Sequence, residues 1–188
     1  MKKLKLYQSI LGLVIVTLSL LMIPWIAMFF TDEVNWSPLD FLVMGVLLFS
    51  TGLAYILITR QSANIMYRAA FGLAIGTTLL LVWANLAVGL IGSGPNPGNF
   101  LYIGVLAVGI IGSIRARFQA ARMERAMFDT AVALLLVVVV ALISGMHEYP
   151  QSSVIEVIGV NLFFATPYAI AGLLFGQISK KQKAAVEH

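Results

Sequence analysis

The chain contains no cysteine and only two histidines among its 188 residues. The first absence excludes disulfide scaffolds and cysteine-based zinc, iron–sulfur or thiol chemistry. The second leaves His147 as the one internal histidine, and a single imidazole without cysteine cannot complete a zinc triad. Charge is scarce too. Only 11% of the residues are Asp, Glu, Lys or Arg, against about 25% in an ordinary soluble domain. With 60% hydrophobic residues and a mean hydropathy of +0.95, too few polar side chains remain to cover a water-soluble fold. What remains is a polytopic helical membrane protein.

Long apolar runs are what the chain has instead. A spanning helix needs about 20 mostly apolar residues, each adding about 1.5 Å across a core about 30 Å thick. Six stretches come close or suffice, at about 9–30, 39–59, 67–91, 100–114, 127–146 and 154–178. The fourth is the shortest and gains length from its flanks. A membrane β-barrel would show alternating segments of about 10 residues, and these runs do not alternate. The expected fold is all-α, a single integral membrane domain over 1–188 built as a six-transmembrane-helix bundle.

One side of that bundle lacks basic residues altogether. Six spans put Lys2, Lys3, Lys5, Arg60, Arg68, Arg115, Arg117, Arg122, Arg125, Lys180, Lys181 and Lys183 on the same side. Basic loops stay cytoplasmic, so both termini are expected inside. Twelve cations against Glu124, Asp129 and Glu187 leave +9 there. Asp32, Glu33, Asp40, Glu148 and Glu156 put −5 on the other side, and the two recover the net +4. The pI near 9.5 therefore reports orientation and contact with anionic lipid, not a nucleic-acid partner. Lys2, Lys3 and Lys5 before an apolar run imitate a signal peptide. The run is longer than the usual core of about 7–15 residues and no small-x-small site closes it, so it reads as a retained span.

No loop is long enough for a soluble domain. Gly92-Ser93-Gly94-Pro95-Asn96-Pro97-Gly98 is a dense turn signal and lacks the Gly-Lys-Ser/Thr ending of a phosphate loop. Pro38-Leu39-Asp40-Phe41-Leu42-Val43-Met44-Gly45-Val46-Leu47 aligns with Pro97-Gly98-Asn99-Phe100-Leu101-Tyr102-Ile103-Gly104-Val105-Leu106. Arg68-Ala69-x-Phe71 echoes Arg125-Ala126-x-Phe128. Both fit a parallel helical-hairpin repeat, although apolar low complexity also produces such matches. Gly72 with Gly76, and Gly172 with Gly176, are small-xxx-small pairs, and Gly104, Gly109 and Gly112 recur in span four. Such smooth faces let helices approach closely, and either pair leaves a homo-oligomer open.

Polar groups inside spans need a partner or a purpose. Asn85 lies about 10 Å below the outer end of span three, and Asn161 is at a comparable depth in span six. Glu156 is one turn further out, and Asp40, His147 and Glu148 sit at the outer mouth. If spans three and six are neighbours, these six residues converge on one outward-facing polar cavity. The other reading gives each a separate structural role, with the asparagines bonding across helices and Glu156 reaching headgroup water. Asp129, four residues after Arg125, has the spacing of an ion pair on one helix face. Arg115, Arg117, Arg122 and Arg125, interleaved with Phe118, Met123, Met127 and Phe128, read as an interfacial helix lying on anionic lipid. Ser93 and Ser113 follow glycines, but neither pairs with a buried histidine in this arrangement, so no catalytic constellation, metal site or cofactor is expected.

Tyr67-Arg68-Ala69-Ala70, Leu81-Val82-Trp83-Ala84-Asn85-Leu86-Ala87-Val88-Gly89-Leu90-Ile91-Gly92, Asn96-Pro97-Gly98-Asn99 and Gly104-Val105-Leu106-Ala107-Val108-Gly109-Ile110-Ile111-Gly112 resemble a group of small, uncharacterised bacterial membrane proteins. The resemblance covers about 67–112 and implies a bacterial inner membrane. It supplies no substrate and no catalytic residue. Two functions are then open. One is a small transporter or channel handling a polar solute or ion at Asn85, Glu156 and Asn161. The other is a non-transporting scaffold or envelope-stress protein that acts through a protein partner.

Overall fold

The computed structural model describes residues 2–60, 62–92 and 96–185, with side chains from residue 6 onward. Ser93, Gly94, Pro95 and Glu187, named above, and the second histidine, His188, lie outside the described residues, as do the side chains of Lys2, Lys3 and Lys5. Among the described residues every regular element is helical. Six helices are long and apolar enough to cross a membrane. They are α1 (Lys2–Ala27), α2 (Pro38–Thr59), α3 (Ile65–Ala87), α4 (Leu101–Arg115), α5 (Ala120–Ile143) and α6 (Val154–Ala184), with short 3-10 turns at Pro97–Phe100 and Met146–Glu148.

The chain divides into two compact units, Met1–Gln61 and Ser62–His188. The first is the α1–α2 hairpin. Pro24 removes one amide from the last turn of α1, and the helix closes through Met28 N–H to Pro24 O at 3.1 Å and Thr31 N–H to Ala27 O at 3.0 Å. α2 opens on a reciprocal cap: Ser37 N–H donates to Asp40 Oδ2 at 2.7 Å, and Asp40 N–H donates back to Ser37 Oγ at 3.3 Å. Pro38 at the first helical position costs nothing there, because its amide would have had no partner. Gly45 and Gly52 of α2 face Leu21 and Leu13 of α1.

In the second unit α5 packs along both α4 and α6, and α6 in turn packs on α3. The buried stripe of α5 runs Met123, Met127, Thr130, Leu134, Val137 and Ala141. Its spacing of three to four residues is one face of a helix. α6 answers with Val157, Asn161, Phe164, Tyr168, Ala171, Phe175 and Ile178. The outward faces are apolar as well: Leu136 is 57% exposed, Phe163 65% and Ile155 84%. Large apolar side chains on the surface suit a lipid solvent, in which they cost nothing.

Small residues set the closest approaches. A Cβ at Gly112 would lie 3.1 Å from that of Ala126, and one at Gly109 would lie 3.2 Å from Thr130 Oγ1, so α4 meets α5 nearly backbone to backbone. Gly172 lies against the Phe128 ring and the Glu124 carbonyl, and Gly176 against the Glu124 carboxylate. The Gly172/Gly176 pair thus works as a packing surface. The Gly72/Gly76 pair differs, because a Cβ at Gly76 would meet no atom within 4 Å.

Several boundaries differ from the hydropathy runs: α1 begins at Lys2 and ends at Ala27, α5 ends at Ile143, α6 runs on to Ala184, and two further differences bear on the candidate sites. α3 stops at Ala87, not near Ile91, because Gly89 takes φ +77° and turns the chain. α5 begins at Ala120, seven residues before the apolar run does, so Arg122, Glu124 and Arg125 belong to the same continuous helix. No separate interfacial helix precedes it.

Candidate functional site

The end of the second unit that carries the C-terminus of α3 is organised by Asn99. After Gly89 reverses the chain, the amides of Leu90 and Ile91 point inward and need acceptors. Asn99 Oδ1 takes both, at 2.8 and 2.9 Å, and its Nδ2 donates to Ile91 O at 3.4 Å. Asn96 caps the 3-10 turn through Gly98 N–H to its Oδ1 at 2.9 Å, and Pro97 fills the first position. The buried amides of Leu90 and Ile91 are tolerated here because the Asn99 side chain replaces their missing backbone partners.

Asn85, one helical turn before the loop, donates from Nδ2 to Asn99 O at 3.3 Å. Its Oδ1 is buried without a hydrogen-bond partner. Between α3 and the start of α4 lies a cavity of about 600 Å³ lined by Leu81, Asn85, Asn96, Asn99, Tyr102 and Leu106 among others. Its wall is mainly apolar, carries three asparagines and one tyrosine, and includes no charged side chain.

Behind that wall Asn161 of α6, fully buried, donates from Nδ2 to the Tyr102 hydroxyl at 3.1 Å and to Val157 O at 2.8 Å, while its Oδ1 has no partner. Thr78 of α3 and Tyr168 of α6 share a hydroxyl–hydroxyl bond at 2.7 Å. The Asn161–Tyr102 bond ties α6 to α4 and the Thr78–Tyr168 bond ties α3 to α6, the kind of interhelical bond that membrane helices use.

Of the six residues expected to meet in one cavity, the five in the second unit do not converge on it. Asn85 lines it, and Asn161 touches its wall only from behind, through Tyr102. Glu156 is exposed in the first turn of α6, where Ser153 Oγ caps its amide at 3.1 Å. Five residues at about 100° each put Glu156 and Asn161 about 140° apart on the helix, so they cannot share a cavity. Asp40 belongs to the first unit, where it completes the cap of α2. His147 and Glu148 pair with each other at 3.9 Å in the Met146–Glu148 turn and do not line the cavity. Asn99 and Tyr102 take the place of the missing members. The sequence signal for Asn99 was its position beside Pro97-Gly98, where an asparagine carboxamide substitutes for backbone. Tyr102, a phenol inside an apolar run, carried the signal of a polar tip in need of a partner.

The opposite end of this unit is basic. Arg115 closes α4, and the turn to α5 takes Arg117 and Phe118 through φ +50° and +56°. Two successive non-glycine residues in that region cost about 1–2 kcal/mol each. The turn is held by Tyr67 Oη–H to Phe118 O at 2.6 Å and by the edge-on contact of the Phe71 and Phe118 rings, 6.1 Å between centroids. A second cavity, of about 610 Å³, opens between α4 and α5, with Arg115, Arg122, Arg125 and Asp129 on its rim. Arg125 and Asp129 form no ion pair within 4 Å despite their spacing. Among the described residues His147–Glu148 alone meets that distance.

No family model, curated protein or solved structure matches the chain.

Proposed function

We propose that the chain is a multi-pass protein of the bacterial inner membrane, with both termini cytoplasmic, that binds a small polar solute in the cavity between α3 and α4. The orientation is supported by the segregation of all 12 lysines and arginines to one side of a six-span path. That orientation turns the cavity toward the outside. The observation that carries the binding reading is Asn85, whose buried Oδ1 lacks a partner beside a cavity with three asparagines in its wall. A buried acceptor without a donor is costly, and a turn of the carboxamide toward a ligand N–H or O–H in the cavity would relieve it. The lining has no counter-charge, so an uncharged donor such as a small amide or polyol fits better than a bare ion. At 20.4 kDa six spans leave little room for a pathway within one copy, and passage across the membrane would call for a homo-oligomer.

The test is a thermal-stability screen of the purified protein with small amides and polyols. A solute that stabilises the native chain is expected to lose its effect in Asn85→Leu while the basal Tm changes little. A full set of shifts surviving in that variant overturns the reading.

A second reading is favoured by Asn161. Its complete burial and its bond across to Tyr102 of α4 are what a helix lock requires, and Glu156, His147 and Glu148 do not line the cavity. In that reading the protein is a membrane scaffold acting through a protein partner. The expected result is then an absence of solute-dependent stabilisation in the same screen.

A further inference from the structure

We infer that the cleft between α4 and α5 is a binding site for an anionic phospholipid, with its phosphate held by Arg115, Arg122 and Arg125. The inference rests on the membrane-spanning reading alone and is independent of the solute cavity. Two helical stripes build it. On α4, Val108, Ile111 with Gly112, and Arg115 follow one another at spacings of three to four; on α5, Arg122, Arg125 with Ala126, and Asp129 do the same. The stripes meet where Gly112 and Ala126 come within van der Waals contact, so the floor is backbone and methyl groups and the longer side chains form the walls. The turn at 116–119 returns the chain so that Arg115 and Arg122 border the same cavity.

The charge arrangement selects the ligand. Three guanidinium groups and one carboxylate line the cleft, a balance of +2, and none of the four is in an ion pair within 4 Å among the described residues. Guanidinium forks fit phosphate oxygens, and Arg keeps its charge under all conditions. Below the arginines the α4 wall is apolar, with Val108 39% and Ile111 54% exposed, which suits an acyl chain lying along α4, while Asp129 stands one turn beyond Arg125 on the α5 wall. A soluble anion would use the first feature and waste the second. Arg117 is the internal control: equally basic, two residues from Arg115, yet absent from the lining.

The full chain is transferred into mixed micelles with equal phosphatidylglycerol and phosphatidylethanolamine of one chain length, and retained lipids are counted by native mass spectrometry. Phosphatidylglycerol is expected to be retained in preference. Arg122→Gln with Arg125→Gln should lower that preference about fivefold for each arginine removed, Arg117→Gln should leave it unchanged, and Asp129→Asn should raise it. Equal losses in Arg117→Gln and Arg122→Gln would show diffuse attraction to a basic end and overturn the site. If the double variant does not fold, Asp129→Asn decides alone: an unchanged preference overturns the inference. Inorganic phosphate at millimolar concentration, without lipid, should not raise the Tm. Stabilisation equal to that by phosphatidylglycerol would reassign the cleft to a soluble phosphate and overturn the lipid.

Discussion

Tyr102 and Asn161, 59 positions apart in the chain, are joined by a 3.1 Å bond from the asparagine Nδ2 to the phenol oxygen. The bond links α4 to α6, two helices that each pack along α5. It also fixes the tyrosine ring that forms part of the cavity wall, so helix packing and cavity shape depend on one contact.

Removing either partner should therefore weaken the fold measurably. Tyr102→Phe is expected to cost about 0.6–2 kcal/mol, the range of interhelical side-chain bonds in membranes. In a double-mutant cycle with Asn161→Leu the two changes should be non-additive by a similar amount. Unfolding in mixed detergent micelles measures both, and additive losses would show that the bond contributes nothing.

Asn99→Ala should be the more damaging change. It strips the shared acceptor from Leu90 and Ile91 N–H, and each orphaned buried donor costs about 1–3 kcal/mol. With two such donors a loss of about 2–6 kcal/mol is expected. Amide exchange at Leu90 and Ile91 should accelerate more than exchange in α5, which locates the effect in the loop.

Much of this architecture is legible in the residues. Six apolar runs announce six helices, because length and hydropathy alone decide whether a segment can span. The rotation of each helix is what stays hidden. In lipid a helix is apolar on every face, and the polar/apolar contrast that orients a soluble helix is absent. The position of Asn85 and Asn161 along their helices was therefore readable, but not the direction in which either side chain faced. The separation of Glu156 from Asn161 was nonetheless present in their spacing of five. The Arg125–Asp129 spacing permitted an ion pair, but proximity on one helix does not require one when both side chains reach solvent.

Gly112→Leu is expected to push α4 off α5. With a Cβ already 3.1 Å from that of Ala126, the added carbons must displace the facing helix, at a cost of about 1–3 kcal/mol for overpacking. Gly104→Leu is the contrast, since a Cβ there would meet nothing within 4 Å, and its Tm should stay close to that of the native chain.

Arg117→Gly should stabilise. The native φ of +50° is strained for arginine by about 1–2 kcal/mol, while the extra freedom of glycine in the unfolded chain returns about 0.5–1 kcal/mol. A net gain of about 0.5–1 kcal/mol remains, visible as a higher Tm. A lower Tm would mean that the arginine side chain contributes more than the turn geometry costs it.

The helices of the second unit are unequal in height. α6, with 31 residues, is about 46 Å long, whereas α4 with its preceding 3-10 turn reaches only about 30 Å. The surrounding annulus of lipid therefore meets a tall wall on one flank and a low one on the other. Lengthening the acyl chains would leave α6 clear of both surfaces while submerging the ends of α4, where the Asn99 loop and the arginine cleft lie. Bilayer thickness thus bears on the shorter flank first, and with it on both cavities at once.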